Sequence, residues 1–202
     1  MNKKPIIGIL GGISSGKSTV AKVLLEMGCG VVDADKIAKD LLFNNQVKDE
    51  IRAAFGDTVF DSAGNIDKPK LAEAVFDDSA AVSKINSIIH PRVMRKTQGL
   101  IEQFQADDGI KAVVLDIPLL MEVGWEKRCD KLIFVASEEH IRLERAAKKG
   151  KFDEKLLKKR EKFQISLDKK RKISHYILNN NENLSELTEQ ISEIFPALIS
   201  KK

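Results

Sequence analysis

Eight residues near the start of the chain, Gly11, Gly12, Ile13, Ser14, Ser15, Gly16, Lys17 and Ser18, constrain its fold most. They fit the pattern G-x-x-x-x-G-K-[ST]. They stand between an apolar run at residues 5–10 (PIIGIL) and an amphipathic run at residues 17–27 (KSTVAKVLLEM). A triphosphate is a dense anion, and successive backbone N–H groups surround it only where the chain turns tightly, which glycine permits. The helix that follows aims its positive dipole end at the phosphates. Lys17 is then placed to reach the β- and γ-phosphates, and the Ser18 hydroxyl to ligate Mg²⁺. The segment predicts nucleotide-phosphate binding through residues 11–18, with Thr19 next in line.

Further along the chain, apolar runs alternate with amphipathic stretches. Short buried strands are expected at residues 31–33, 112–115, 131–135 and 176–178, after the first at 5–10. Helices are expected at 36–42, with Asp35 as N-cap, and at 137–149, 156–164 and 184–199. Strands alternating with helices mean a parallel sheet covered on both faces. Residues 44–105 break the alternation and read as a helical insertion between the second and third strands, with a turn-rich piece at 61–67 (DSAGNID). Inside that insertion, Pro91 should break the hydrogen-bond ladder and kink the helix.

A chain of 202 residues, 43% hydrophobic, can bury a core as one domain with an insertion, and full disorder is excluded. No apolar run approaches the ~20 residues of a membrane span. The first apolar run breaks at Gly11-Gly12, which argues against a signal peptide. Cys29 and Cys129 cannot form a disulfide framework, which suits a reducing cytoplasm.

The net charge of +4 is unevenly spread. Residues 148–172 hold twelve Lys/Arg and four Asp/Glu, a net of +8, so the remainder sums to −4. Such a segment can be a solvated face, a nucleic-acid patch, or a lid that brings cations to a transferring phosphoryl group. Only Phe152 and Phe163 interleave with its charges, so stacking on single strands is poorly supported and no nucleic-acid partner is expected.

There is no [NT]-K-x-D base-reading motif, and the D-x-x-G match at residues 61–64 lies in the turn-rich insertion. A small chain with these features fits a small-molecule kinase better than a GTPase or a motor. Asp33 and Asp35 follow the second strand, at the sheet edge where ligands of open α/β sheets bind. Either carboxylate can accept a proton from an attacking hydroxyl or order the Mg²⁺ shell, and Asp35 can also serve only as a cap. Asp116 ends the third strand and is placed to hold a Mg²⁺ water or to cap that strand end. His140 and His175 show no metal-ligand spacing.

The sequence resembles the dephospho-coenzyme A kinase family over nearly its whole length. The residues that carry the resemblance are GGISSGKST at 11–19, VVDADKIAK at 31–39, GNIDKPKLAEAVF at 64–76 and INSIIHPRV at 85–93. They continue with LDIPLLMEVG at 115–124, RLERAAKK at 142–149, Arg160 with Gln164, and ILNN at 177–180. The resemblance implies a P-loop kinase three-layer sandwich: a five-stranded parallel sheet with a helical substrate insertion and a lid. It implies a core at 1–43, 106–145 and 173–202, an insertion at 44–105 and a lid at 146–172. The implied reaction moves the γ-phosphoryl of ATP to the ribose 3′-hydroxyl of dephospho-CoA, with Mg²⁺, in the cytoplasm. A monomer is expected, with an oligomer as the alternative.

The resemblance further assigns the base to Asp35, with Asp33 second, and Arg145 and Arg160 to ATP, supported by Gln164 and Lys170. Asp35, His90, Pro91, Leu119, Leu120 and Glu122 fall on the acceptor side. The chain departs from the family pattern at Lys68 and Lys149, where Arg is usual, and at Ser174-His175, where Ala-Asp is usual. Lysine loses the bidentate phosphate contact that Arg makes.

Overall fold

The computed structural model describes residues 3–75, 78–148 and 154–200. Five strands form one parallel sheet in the order β2-β3-β1-β4-β5: β1 (Ile6–Gly11), β2 (Gly30–Asp33), β3 (Val113–Asp116), β4 (Lys131–Ala136) and β5 (Tyr176–Asn179). Every residue of β1 is buried, as a central strand packed on both faces requires.

The helices are α1 (Lys17–Glu26), α2 (Ala34–Leu41), α3 (Asn45–Phe55), α4 (Lys68–Val75), α5 (Ser79–Ala106), α6 (Glu139–Lys148), α7 (Glu154–Glu161), α8 (Leu167–Lys172) and α9 (Leu184–Ile199). On one face of the sheet Ile7, Ile9, Val114, Ile133 and Leu178 pack against Val20 and Leu24 of α1 and Leu187, Ile191 and Leu198 of α9. Each such side chain contributes roughly 1.5–3 kcal/mol of burial free energy. Strand alternation sends Leu115, Leu132 and Phe134 to the other face, where α8 packs near β1. The result is three layers, helix, sheet and helix, as the alternating pattern predicts.

The chain divides into two compact units. One comprises residues up to Asp33 and from Ile101 onward, and the other runs from Ala34 to Leu100. The second unit therefore begins at Ala34, ahead of the expected 44. It holds α2, α3, α4 and most of α5, with Val47, Ile51, Val59 and Leu71 buried. Asn44 caps α3 by accepting the Val47 N–H at 3.2 Å. The D-x-x-G match is a local turn: Asp61 Oδ1 accepts the N–H groups of Ala63 and Asn65.

One local expectation is corrected. Asp35 is not the N-cap of α2: the helix starts directly after β2, and Asp35 lies inside its first turn, where a carboxylate still favours the dipole. Pro91 lies inside α5, which runs for 28 residues. Proline removes one ladder bond in so long a helix, and the Arg92 guanidinium donates to the neighbouring Ile88 carbonyl at 2.7 Å. Arg92 also pairs with Glu50 at 2.5 Å, which fixes the helix at that point.

Lys149 and Phe152 lie outside the described residues. The other two departures have local roles. Lys68 Nζ lies 5.4 Å from the centre of the Phe43 ring, a cation–π distance. His175 Nδ1 accepts the Leu132 N–H at 3.0 Å, and its own N–H donates to Leu132 O at 2.9 Å, so it ties the start of β5 to β4.

Candidate active site

The site begins where β1 ends. Gly16 has φ 99°, in the left-handed region, and serves as N-cap of α1 with no side-chain cap bond. A Cβ at Gly16 would collide with the Asn180 side-chain amide, so both the dihedral and the space require glycine. No side chain caps the start of α1, where the Thr19 and Val20 N–H groups donate to Gly16 O at 2.9 and 3.1 Å. Asn180, buried after β5, donates from Nδ2 to Ser15 O at 2.7 Å and pins the loop from below. Lys17 Nζ folds over the same loop and donates to Gly11 O at 3.1 Å and Gly12 O at 2.8 Å. Ser18 and Thr19, in the first turn of α1, are exposed.

Two carboxylates stand beside this loop. Asp33 and Asp116 are register partners at the C-terminal ends of β2 and β3. Alternation along the strands directs both to the face that carries α1. Asp116 is buried. Adjacent like charges repel, and a hard divalent cation prefers oxygen donors, with few protein ligands and several waters in the case of Mg²⁺. Asp116, Asp33 and the Ser18 hydroxyl offer oxygen donors only, the chemistry such an ion takes. Among the described residues, no cluster of three or more His, Cys, Asp or Glu forms a metal cage.

Arg145 is half-buried on α6, and its Nη1 donates to Asn180 O at 2.9 Å and to Ser137 Oγ at 3.4 Å. It therefore sits against the segments that follow β4 and β5. Arg160, at the end of α7, is exposed. Sequence reasoning missed Arg142, one turn before Arg145. It is buried, pairs with Glu161, and donates from Nη1 to Ile13 O at 3.4 Å. A Cβ at Gly12 would lie 2.7 Å from that nitrogen, so glycine there admits the guanidinium. The available signal was the i, i+3 spacing to Arg145 on one helix face.

The expected acceptor-side residues separate. Leu120 is 1% exposed and belongs to the core, whereas Leu119 faces outward. Glu122 is engaged within the protein: Oε1 accepts the Ile165 N–H at 2.9 Å and pairs with Lys170 Nζ at 2.9 Å. Lys170 is 2% exposed and also donates to Gln164 Oε1 at 3.1 Å. Glu122, Gln164 and Lys170 thus join the turn after β3 to the end of the basic segment, and their geometry serves packing. Asp35, His90 and Pro91 are exposed residues of the second unit. A cavity of about 390 Å³ beside Gly12, lined by Arg142, Ser137, Asp168 and Arg171, shares only Gly12 with the residues nominated from sequence.

The family described as dephospho-CoA kinase matches residues 5–186. A dephospho-CoA kinase from Fusobacterium nucleatum is 41% identical over 186 residues, covering 92% of this chain and 94% of its own. Among solved structures, TT1252 from Thermus thermophilus is 31% identical and superposes with a TM-score of 0.81, covering 99% of this chain and all of its own. A dephospho-CoA kinase from Campylobacter jejuni, 22% identical, has the same fold with a TM-score of 0.65, covering 96% of this chain and 97% of its own. With its five-stranded parallel sheet and its glycine-lined loop, this chain belongs to the dephospho-CoA kinase family.

Proposed function

We propose that the protein transfers the γ-phosphoryl group of ATP to the ribose 3′-hydroxyl of dephospho-CoA, giving CoA and ADP. The observation that carries this reading is the family match across residues 5–186. The loop supplies matching chemistry. Its N–H groups and the start of α1 bind the phosphates, and Lys17 exchanges its bonds to Gly11 O and Gly12 O for the β- and γ-phosphates. Asp35 accepts the proton of the attacking hydroxyl, with Asp33 the other candidate. Arg145 and Arg160 face the nucleotide, where a guanidinium fork can stabilise charge on the transferring group. Ser18, Asp116 and Asp33 would hold Mg²⁺, which supplies charge neutralisation on the phosphates when bound.

Leu119, His90 and Pro91 are the exposed residues we assign to dephospho-CoA. The two free cysteines and the demand for ATP support a cytoplasmic location. Among the described residues, no helix is long and apolar enough to cross a membrane.

A coupled ADP-release assay tests the reading. Turnover is expected to require dephospho-CoA, ATP and Mg²⁺ together. Turnover of a nucleoside monophosphate or a small hydroxy acid, with none of dephospho-CoA, would overturn it. Asp35→Asn should lower kcat far more than Asp33→Asn at saturating Mg²⁺, and the reverse order with an unchanged Mg²⁺ requirement would make Asp33 the base.

A further inference from the structure

The Ile13 N–H belongs to the loop that surrounds phosphate in the proposed reaction, yet it already has an anionic partner. It donates to Glu161 Oε1 at 3.4 Å. The same oxygen pairs with Arg142 Nη1, whose side chain is 6% exposed. Arg142 Nε is also buried and has no acceptor among the described residues. Glu161 is the last residue of α7, at the negative end of the helix dipole, where a carboxylate is disfavoured. Its position on α7 does not explain it, whereas the cation and the loop N–H do.

We propose that Glu161 holds the place of a nucleotide phosphate on the loop, and that Arg142 becomes a phosphate ligand once the nucleotide displaces that carboxylate. The inference rests on the loop being a nucleotide site. A carboxylate and a phosphate both carry negative charge and both accept from backbone N–H groups, so they compete for Ile13. When phosphate takes the N–H, Glu161 leaves, because two anions cannot share one donor at close range. Arg142 then loses its partner. A buried cation left unpaired is strongly unfavourable, and its fork, at contact distance from Gly12, matches phosphate geometry. The pair therefore keeps the guanidinium neutralised until a phosphate arrives, and Glu161 acts as an internal competitor of ATP.

Calorimetric titration of Glu161→Gln, Arg142→Gln and the double variant with ATP, tripolyphosphate and adenosine tests this. Glu161→Gln keeps the size and removes the charge. It should bind ATP and tripolyphosphate about tenfold more tightly, the scale of one charge-assisted hydrogen bond, and adenosine as the wild type does. Arg142→Gln should weaken ATP and tripolyphosphate about tenfold, with partial rescue in Arg142→Lys. In the double variant the gain from Glu161→Gln should largely vanish.

Equal or weaker ATP binding by Glu161→Gln would overturn the proposal. An equal gain for adenosine would do the same, because the effect would then lie away from the phosphates. Loss of packing cannot tighten binding, so the Glu161→Gln arm decides even if Arg142→Gln folds poorly. A wild-type protein that neither binds ATP nor turns over dephospho-CoA would overturn the kinase reading and this inference together. Normal wild-type binding with no shift in Glu161→Gln would sink only the inference.

Discussion

The phosphate loop and the basic segment both hold a lysine that bends back onto its own chain, but for opposite reasons. Lys17 lies over a loop whose shape is local. Glycines at 12 and 16, a helix start with no side-chain cap and a neighbouring Asn180 fix the backbone. Its ammonium binds two carbonyls of that loop, and in the proposed reaction it exchanges them for phosphate. Lys170 sits in a run of cations that reads as solvated surface, yet it is among the most buried side chains. Its charge is neutralised by Glu122, which is 48 residues away in sequence. A short motif can state a loop's chemistry, whereas a charge run says nothing about which of its cations find a partner.

Substitutions at the two lysines should separate activity from stability. Lys17→Ala is expected to lower turnover by at least about 10²-fold, the scale of losing one preorganised charge contact, with little change in the unfolding midpoint. A large loss of stability would mean that the ammonium supports the fold as well as the phosphates. Lys170→Met should do the reverse. Removing one member of a buried pair costs about 3–5 kcal/mol, measured by denaturant unfolding. Combining it with Glu122→Leu should recover much of that loss, and no recovery would show that Glu122 has another essential partner.

Asn180→Ala probes the boundary between the two behaviours. It removes a buried bond to Ser15 O, so it should destabilise by about 1–3 kcal/mol and also weaken ATP binding, read by titration. Destabilisation with unchanged ATP affinity would show that the loop holds its shape without this support.

The smallest effect concerns the thiols, which touch neither region. Burial pushes Cys29 up to about 11 against the opposing charge of Lys111, and pushes Cys129 up to about 12 with the help of Asp130 and Glu126. The folded protein keeps these protons while the unfolded chain releases them near 9.0. Their contribution to stability is therefore complete below about pH 9 and is lost as pH rises through about 11 to 12. Denaturant midpoints between pH 8 and pH 10.5 should fall less steeply in a double Cys→Ala variant, and an equal slope would contradict the shift.

Much of the fold was legible because it follows from period and punctuation. The apolar runs became the five strands, and α9 occupies the expected residues. The miss occurs where a single-residue rule met a longer context. Asp35 falls inside α2 because the chain passes from strand to helix without a linker. In the site, the loop and the strand-end aspartates could be nominated from sequence because their spacing carries their chemistry. Arg142 and Glu161 could not, since their pairing joins α6 to α7 across nineteen positions.

A parallel α/β sheet, a tight glycine-rich loop after its first strand, carboxylates at the strand ends and the family were all readable from the residues alone. All of these reside in short-range pattern, where the backbone needs of a loop or strand select residue types directly. Only the tertiary structure decided that Lys170 is buried, that Glu122 pairs within the protein, that Leu120 is core, and that Glu161 stands on the Ile13 N–H beneath a buried Arg142. These are pairings between distant positions, and in water a charged side chain has no preference among distant partners until packing removes the solvent around it.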